Sequence, residues 1–137
     1  MIISTKGRYA LHIMTDLAQH KSDGYISLKS IAERQQMSMK YLESIVATLN
    51  KAGFVMSQRG KDGGYMLSRE PHEYSVGEIV KLTEGSLAPV SCVDKCSSEC
   101  AQSGSCLTLP VWKKLDGIIY DYLYSVTLQD VIDGKVD

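Results

Sequence analysis

Ser38-Met39-Lys40-Tyr41-Leu42-Glu43-Ser44-Ile45-Val46-Ala47-Thr48-Leu49-Asn50-Lys51-Ala52-Gly53-Phe54-Val55-Met56-Ser57-Gln58-Arg59-Gly60-Lys61-Asp62-Gly63-Gly64-Tyr65-Met66-Leu67-Ser68 is the stretch that decides the fold. Tyr41, Leu42, Ile45, Val46 and Leu49 recur at helical spacing behind Ser38, a good N-cap, and Ala52-Gly53 supplies a glycine stop. Phe54 to Arg59 then reads as a strand, Gly60-Lys61-Asp62-Gly63-Gly64 as a turn permissive of positive φ, and Tyr65 to Ser68 as the returning strand. Upstream, Ser27 caps a short helix whose Leu28, Ile31 and Ala32 face inward, with Ser30 at the capping-box position. Only Gln35-Gln36-Met37 joins the two helices, which makes them a helix-turn-helix. A hairpin directly behind a helix-turn-helix is a wing, and that order is a fairly specific signal for duplex DNA binding.

Further out, Ser4 and Thr5 are candidate caps for a first helix running to about Gln19, with Tyr9, Ala10, Ile13, Met14, Leu17 and Ala18 as its apolar positions. Lys21 to Gly24 is a turn and Glu70 to Glu73 a loop. Ser75 caps a helix bearing Val76, Ile79, Val80 and Leu82, which Gly85 ends. Thr108, with Pro110 just inside, starts a longer helix carrying Val111, Trp112, Leu115, Ile118, Ile119, Tyr122 and Leu123. That stripe is too wide for one side of so small a domain, so part of it should meet a partner chain. Thr127 caps a last short helix to about Ile132.

Residues 1–69 carry ten Lys and Arg against five Asp and Glu, a balance of +5, whereas residues 70–137 stand at five against eleven, or −6. A basic half joined to an acidic half suits a nucleic-acid reader with a separate sensing or assembly part. No apolar run approaches the roughly 18 residues of a membrane span. Met1 to Lys6 lacks the basic-then-apolar pattern of a signal peptide, so a cytoplasmic location is expected, with no membrane association.

All four cysteines, Cys92, Cys96, Cys100 and Cys106, fall in one polar stretch with spacing C-x3-C-x3-C-x5-C. Such a segment buries too little apolar area to offset its own ordering entropy. In a reducing compartment, thiols gathered there point to a metal or cluster that orders it. Zinc is the lesser alternative, because structural zinc sites usually pair one C-x2–4-C with a second pair farther along the chain. No C-x-x-C redox pair, catalytic triad, carboxylate pair or phosphate-binding glycine loop is present, so the chain is not expected to be an enzyme. His12, His20 and His72 are scattered without ligand spacing.

Four stretches resemble one family: Ser4-Thr5-Lys6-Gly7-Arg8-Tyr9-Ala10-Leu11, Tyr41-Leu42-Glu43, the wing Arg59-Gly60-x-x-Gly63-Gly64-Tyr65, and Cys106-Leu107-Thr108-x-x-x-Trp112. The family is the dimeric winged-helix regulators of the Rrf-two type, with IscR, NsrR and CymR among its members. The resemblance implies a homodimer, joined through the helix Thr108–Tyr124, that binds palindromic promoter DNA, expected as a repressor. Members similar to IscR and NsrR hold an iron–sulfur cluster through three cysteines of this loop, usually spaced C-x5-C-x5-C. Here Cys100 and Cys106 keep the second interval, and the first ligand is Cys92 or Cys96. The family's two alternative positions for a fourth ligand are Leu109 and Arg8, so the fourth cysteine is the candidate, consistent with [2Fe–2S] or [4Fe–4S]. Members similar to CymR lack the cysteines, regulate cysteine and sulfur metabolism, and allow a protein partner. Ile26 to Glu33 looks closer to that branch. A regulator without a cluster, or with a zinc or thiol switch, is the alternative function.

The expectation is therefore a mainly α chain with one small β-hairpin. Residues 1–84 would form a winged helix-turn-helix with its wing at about 54–68, residues 85–107 a cysteine-rich loop, and residues 108–137 a dimerisation helix with a short final helix. Ser38, Lys40 and Tyr41 should reach base edges, with Glu43 accepting from a cytosine amino group. Ser27 and Lys29 should meet phosphate, while Arg59 and Lys61 enter or flank the minor groove.

Overall fold

The computed structural model describes residues 3–94 and 104–136. Six helices and one antiparallel hairpin follow in chain order: α1 (Thr5–Gln19), α2 (Leu28–Gln35), α3 (Met39–Lys51), β1 (Val55–Gln58), β2 (Gly64–Leu67), α4 (Val76–Glu84), α5 (Leu109–Ser125) and α6 (Leu128–Ile132). The fold is the mainly helical one expected, with the hairpin directly behind the helix-turn-helix.

Local chemistry sets most of the boundaries. The side chains of Ser4, Ser27, Ser38, Ser75 and Thr127 each accept an amide hydrogen bond from the first turn of the following helix. Such a cap satisfies a donor that the helix itself leaves unpaired. In α4 and α6 the box closes reciprocally, through Glu78 and Asp130. At the end of α3 the amide of Gly53 donates to Asn50 at 3.0 Å and that of Phe54 to Leu49 at 2.9 Å, a Schellman stop. Gly53 has φ +79, a conformation that costs glycine nothing. Phe54 is therefore spent on ending the helix, and β1 starts one residue later than the sequence pattern suggests.

The main core joins α1, α2, α3, the hairpin, α4 and α6. Ala10, Ile13, Met14 and Leu17 meet Ile31, Leu42, Ile45, Leu49, Ile79 and Leu128, all essentially inaccessible to solvent. The first helix is thus the central post against which α2 and α3 lean. A smaller cluster of Val76, Val80, Leu87 and Val126 takes Leu123 and Tyr124 of α5. A Cβ at Gly77 would strike the Tyr124 ring, and this glycine lets α4 and α5 approach closely.

Candidate nucleic-acid interface and cysteine segment

The hairpin pairs Val55 with Leu67, Met56 with Met66, Ser57 with Tyr65 and Gln58 with Gly64. It is not isolated. The amide of Ile26 donates to the Tyr65 carbonyl and the amide of Tyr65 to the Ile26 carbonyl, both at 2.8 Å. Gly64, with φ +155, lies so close to the Ile26 carbonyl that any side chain there would collide with it. This bridge places the cap of α2 beside the wing, so Ser27 stands next to β2 although the two lie far apart in sequence.

Ser27, Lys29, Ser38, Lys40, Glu43, Arg59 and Lys61 are all exposed. The two serines act as acceptors in the helix caps, and Ser27 Oγ also lies 2.9 Å from Ser30 Oγ. Accepting a cap bond does not use the hydroxyl proton, the group that could donate to phosphate or a base. Tyr41 is half-buried: its ring meets Tyr9 edge-on, with centroids 5.6 Å apart and planes at 74°. It both packs on α1 and presents an edge at the start of α3. Arg59 and Lys61 sit in the turn between β1 and β2, on the exposed tip of the wing.

One feature that holds this surface was not legible from the pattern. Asp16 is 1% exposed in the middle of the apolar face of α1. Arg34 of α2 grips it with Nε at 2.9 Å and Nη2 at 2.6 Å, Gln35 adds a donor at 2.9 Å, and His20 Nδ1 lies 3.6 Å away. Burial by itself would raise the carboxyl's pKa, but the hydrogen bonds from Arg34 and Gln35 and the charge of Arg34 outweigh it and hold the group below the ordinary carboxylate range. The last turn of α2 is thereby locked to α1. Its C-cap, Gln36, takes the left-handed conformation at φ 54 to enter the short turn before Ser38.

Of the four cysteines, Cys92 and Cys106 belong to the described residues, while Cys96 and Cys100 lie outside them. Cys92 is exposed in a short turn, Ser91–Val93, and Cys106 is half-buried just ahead of α5. The side chain of Thr108 does not cap α5; instead its hydroxyl lies 3.3 Å from Cys106 Sγ. That hydroxyl and the amides of Thr108 and Leu109 lower the thiol's pKa by favouring the thiolate. A sulfur so placed fits a metal or cluster ligand, because such ligands bind as thiolates. Leu109 is buried at 8% exposure, and the Arg8 guanidinium is exposed and 3.4 Å from Thr5 Oγ1, so neither offers a donor to iron. Among the described residues no three His, Cys, Asp or Glu side chains are gathered as a metal site. No described helix is long and apolar enough to cross a membrane.

Residues 3–134 match the model of the family described as Rrf2, iron-dependent transcriptional regulator. The chain is 36% identical over 135 residues to the HTH-type transcriptional regulator IscR of Pectobacterium atrosepticum, spanning 98% of this chain and 81% of that one. Among solved structures it is similar to IscR of T. potens, with TM-score 0.77 and 40% identity over 98% of this chain and 88% of that one. It is likewise similar to CymR, the global cysteine regulator of B. subtilis, with TM-score 0.82 and 36% identity over 98% of both chains.

Proposed function

Because the chain belongs to the Rrf2 family of transcriptional regulators, DNA-binding proteins and not enzymes, we propose that it is a homodimeric repressor whose grip on a palindromic promoter site is tuned by an iron–sulfur cluster held in segment 92–106. The observation that carries the DNA reading is the Ile26–Tyr65 bridge, which sets the cap of α2 beside a wing tipped with Arg59 and Lys61. Ser38, Lys40, Tyr41 and Glu43 enter the major groove from the start of α3. Ser27 and Lys29 hold phosphate, and Arg59 and Lys61 lie in or along the minor groove.

The chemistry of Cys106 supports the cluster reading, with Cys100 as its companion ligand and Cys92 and Cys96 as the remaining candidates. When bound, the cluster supplies iron–thiolate bonds that replace a missing core and a centre that responds to redox state or small reactive ligands. The chain's own part is positional. α4 ends and α5 begins at the two edges of the segment, and the Gly77–Tyr124 contact ties those helices together. Order in the segment therefore bears on the helix that joins the two protomers. Dimerisation proceeds through α5, whose outward stripe is described below.

The test measures iron, acid-labile sulfide and zinc per chain on protein purified without oxygen, then affinity for a duplex selected on that protein from a random pool, with and without cluster at fixed salt. Iron matched by sulfide, lost in Cys106→Ala and Cys100→Ala, with an affinity that changes between the two forms, is the expected result. Equal affinity in both forms overturns cluster control of that site. The similarity to CymR, with near-complete overlap of both chains, favours a second reading: DNA binding without a cluster, regulated through thiols, zinc or a protein partner. Absence of iron together with tight DNA binding would select it.

A further inference from the structure

Tyr74 stands between the hairpin and α4, is fully buried, and has no part in the DNA contacts assigned above. Its hydroxyl donates to the Phe54 carbonyl at 2.6 Å and accepts from the amides of Ser68 and Arg69, each at 3.1 Å. Phe54 immediately precedes β1, and Ser68 immediately follows β2. One hydroxyl thus clasps both ends of the hairpin. The Phe54 and Tyr74 rings pack with centroids 5.8 Å apart, and the Arg69 guanidinium lies 4.2 Å from the Tyr74 ring centroid. Arg69 then reaches α4, donating to Glu78 Oε1 at 3.0 Å, and Glu78 in turn closes the Ser75 capping box.

A two-stranded hairpin has little stability of its own, so its direction must come from what holds it: the Ile26–Tyr65 bridge along β2 and the Tyr74 clasp at its base. We propose that Tyr74, with Arg69 and Glu78, is a positioning unit that fixes the wing relative to α4 and so determines whether Arg59 and Lys61 meet DNA. This rests on the DNA reading of the wing. The lever is long enough to matter. The Ile26–Tyr65 bridge tethers β2 near the tip, while β1 and the Arg59 behind it follow the base. Over about 13 Å, the length of four strand residues, a tilt of about 10° at the clasp moves Arg59 about 2 Å, more than a hydrogen bond tolerates. The unit also makes α4 a shared element: its first turn holds the wing, and its last turn leads into the cysteine segment.

The experiment is a double-mutant cycle on the full chain: wild type, Tyr74→Phe, Arg59→Ala and the pair, each titrated against a duplex selected by the wild type from a random pool over a range of salt. Tyr74→Phe is expected to weaken binding about tenfold, flatten the salt dependence by about two charges, and remove wing protection from a hydroxyl-radical footprint while the major-groove protection stays. In the Arg59→Ala background it is expected to add only the smaller loss that belongs to Lys61. A general loosening of the fold would weaken both backgrounds alike. Additive losses, wild-type binding by Tyr74→Phe, or no effect of Arg59→Ala each overturn the positioning role. If Tyr74→Phe is unfolded by circular dichroism, Glu78→Gln, which keeps a capping oxygen but drops the charge facing Arg69, takes its place in the cycle under the same criteria. A wild type that selects no duplex overturns the DNA reading itself, an outcome distinct from any failure within the cycle.

Discussion

α3 and α5 carry equally convincing apolar stripes in sequence, yet the folded chain treats them in opposite ways. In α3, Leu42, Ile45, Val46 and Leu49 are at most 1% exposed. In α5, Leu109 alone is buried, and Val111, Leu115, Ile118 and Tyr122 keep 57%, 38%, 53% and 46% of their surface. Their spacing of four, three and four residues is that of a seam between two helices. The inward side of α5, through Leu123 and Tyr124, already covers the Val76–Val80 cluster. An amphipathic pattern states that a face must be covered; the width of the α5 stripe already pointed outside the chain, and the tertiary structure shows which of its residues stay uncovered. For α3 the cover lies within the chain; for α5 we propose a second copy.

The contrast can be broken at either helix, and the largest effect is expected in α3. Ile45→Ala leaves a cavity among fully buried neighbours and should destabilise the monomer fold by about 3 kcal/mol or more. Chemical denaturation would read it as a lower midpoint at unchanged slope. Ile118→Asp sharpens the other side. It sets two carboxylates on the seam, one from each protomer, and should raise the dimer dissociation constant at least a hundredfold, about 2.8 kcal/mol. Helical content should remain, since Ile118 lies on the outward stripe and in neither core cluster. Sedimentation over a dilution series decides it. A dimer as tight as the wild type would remove α5 from the interface.

What the sequence disclosed follows the range of the interactions. Five helix starts were legible because each depends on a side chain and an amide two or three positions away, and the wing was legible because glycines at 60, 63 and 64 allow few other arrangements. Thr108 was the exception: it marks the start of α5 but turns its hydroxyl to Cys106. The long-range contacts left no periodic trace. Ile26 pairs with Tyr65 across 38 intervening residues, Tyr74 reaches back 20 positions to Phe54, and Asp16 looks, by spacing alone, like an error in an apolar stripe. A charged residue at an inward position, with an arginine on the next helix, was the available signal for that last one. Of the residues expected to meet DNA, those on the cap and first turn of α2, on α3 and on the wing are exposed except Tyr41, which packs on Tyr9, whereas of the cysteine segment only its two ends belong to the described structure.

Asp16 permits the finest test of how the half containing α3 is held. Asp16→Asn keeps the size of the side chain but removes the charge that Arg34 and Gln35 address. A hydrogen bond to a charged group is worth about 1.5–3 kcal/mol, so a loss of about 2 kcal/mol is expected at neutral pH. The pH dependence carries the sign. The folded carboxyl sits below its unfolded value of about 3.9, so its contribution is fully present above that value and is lost as pH falls through the depressed one. The stability gap between wild type and Asp16→Asn should therefore be constant from pH 7 to about pH 5 and close progressively below about pH 4. Urea midpoints measured at half-unit steps would trace it. The absence of a gap at neutral pH would mean that Asp16 acts by filling space rather than by its charge, and α2 would then be held to α1 by packing alone.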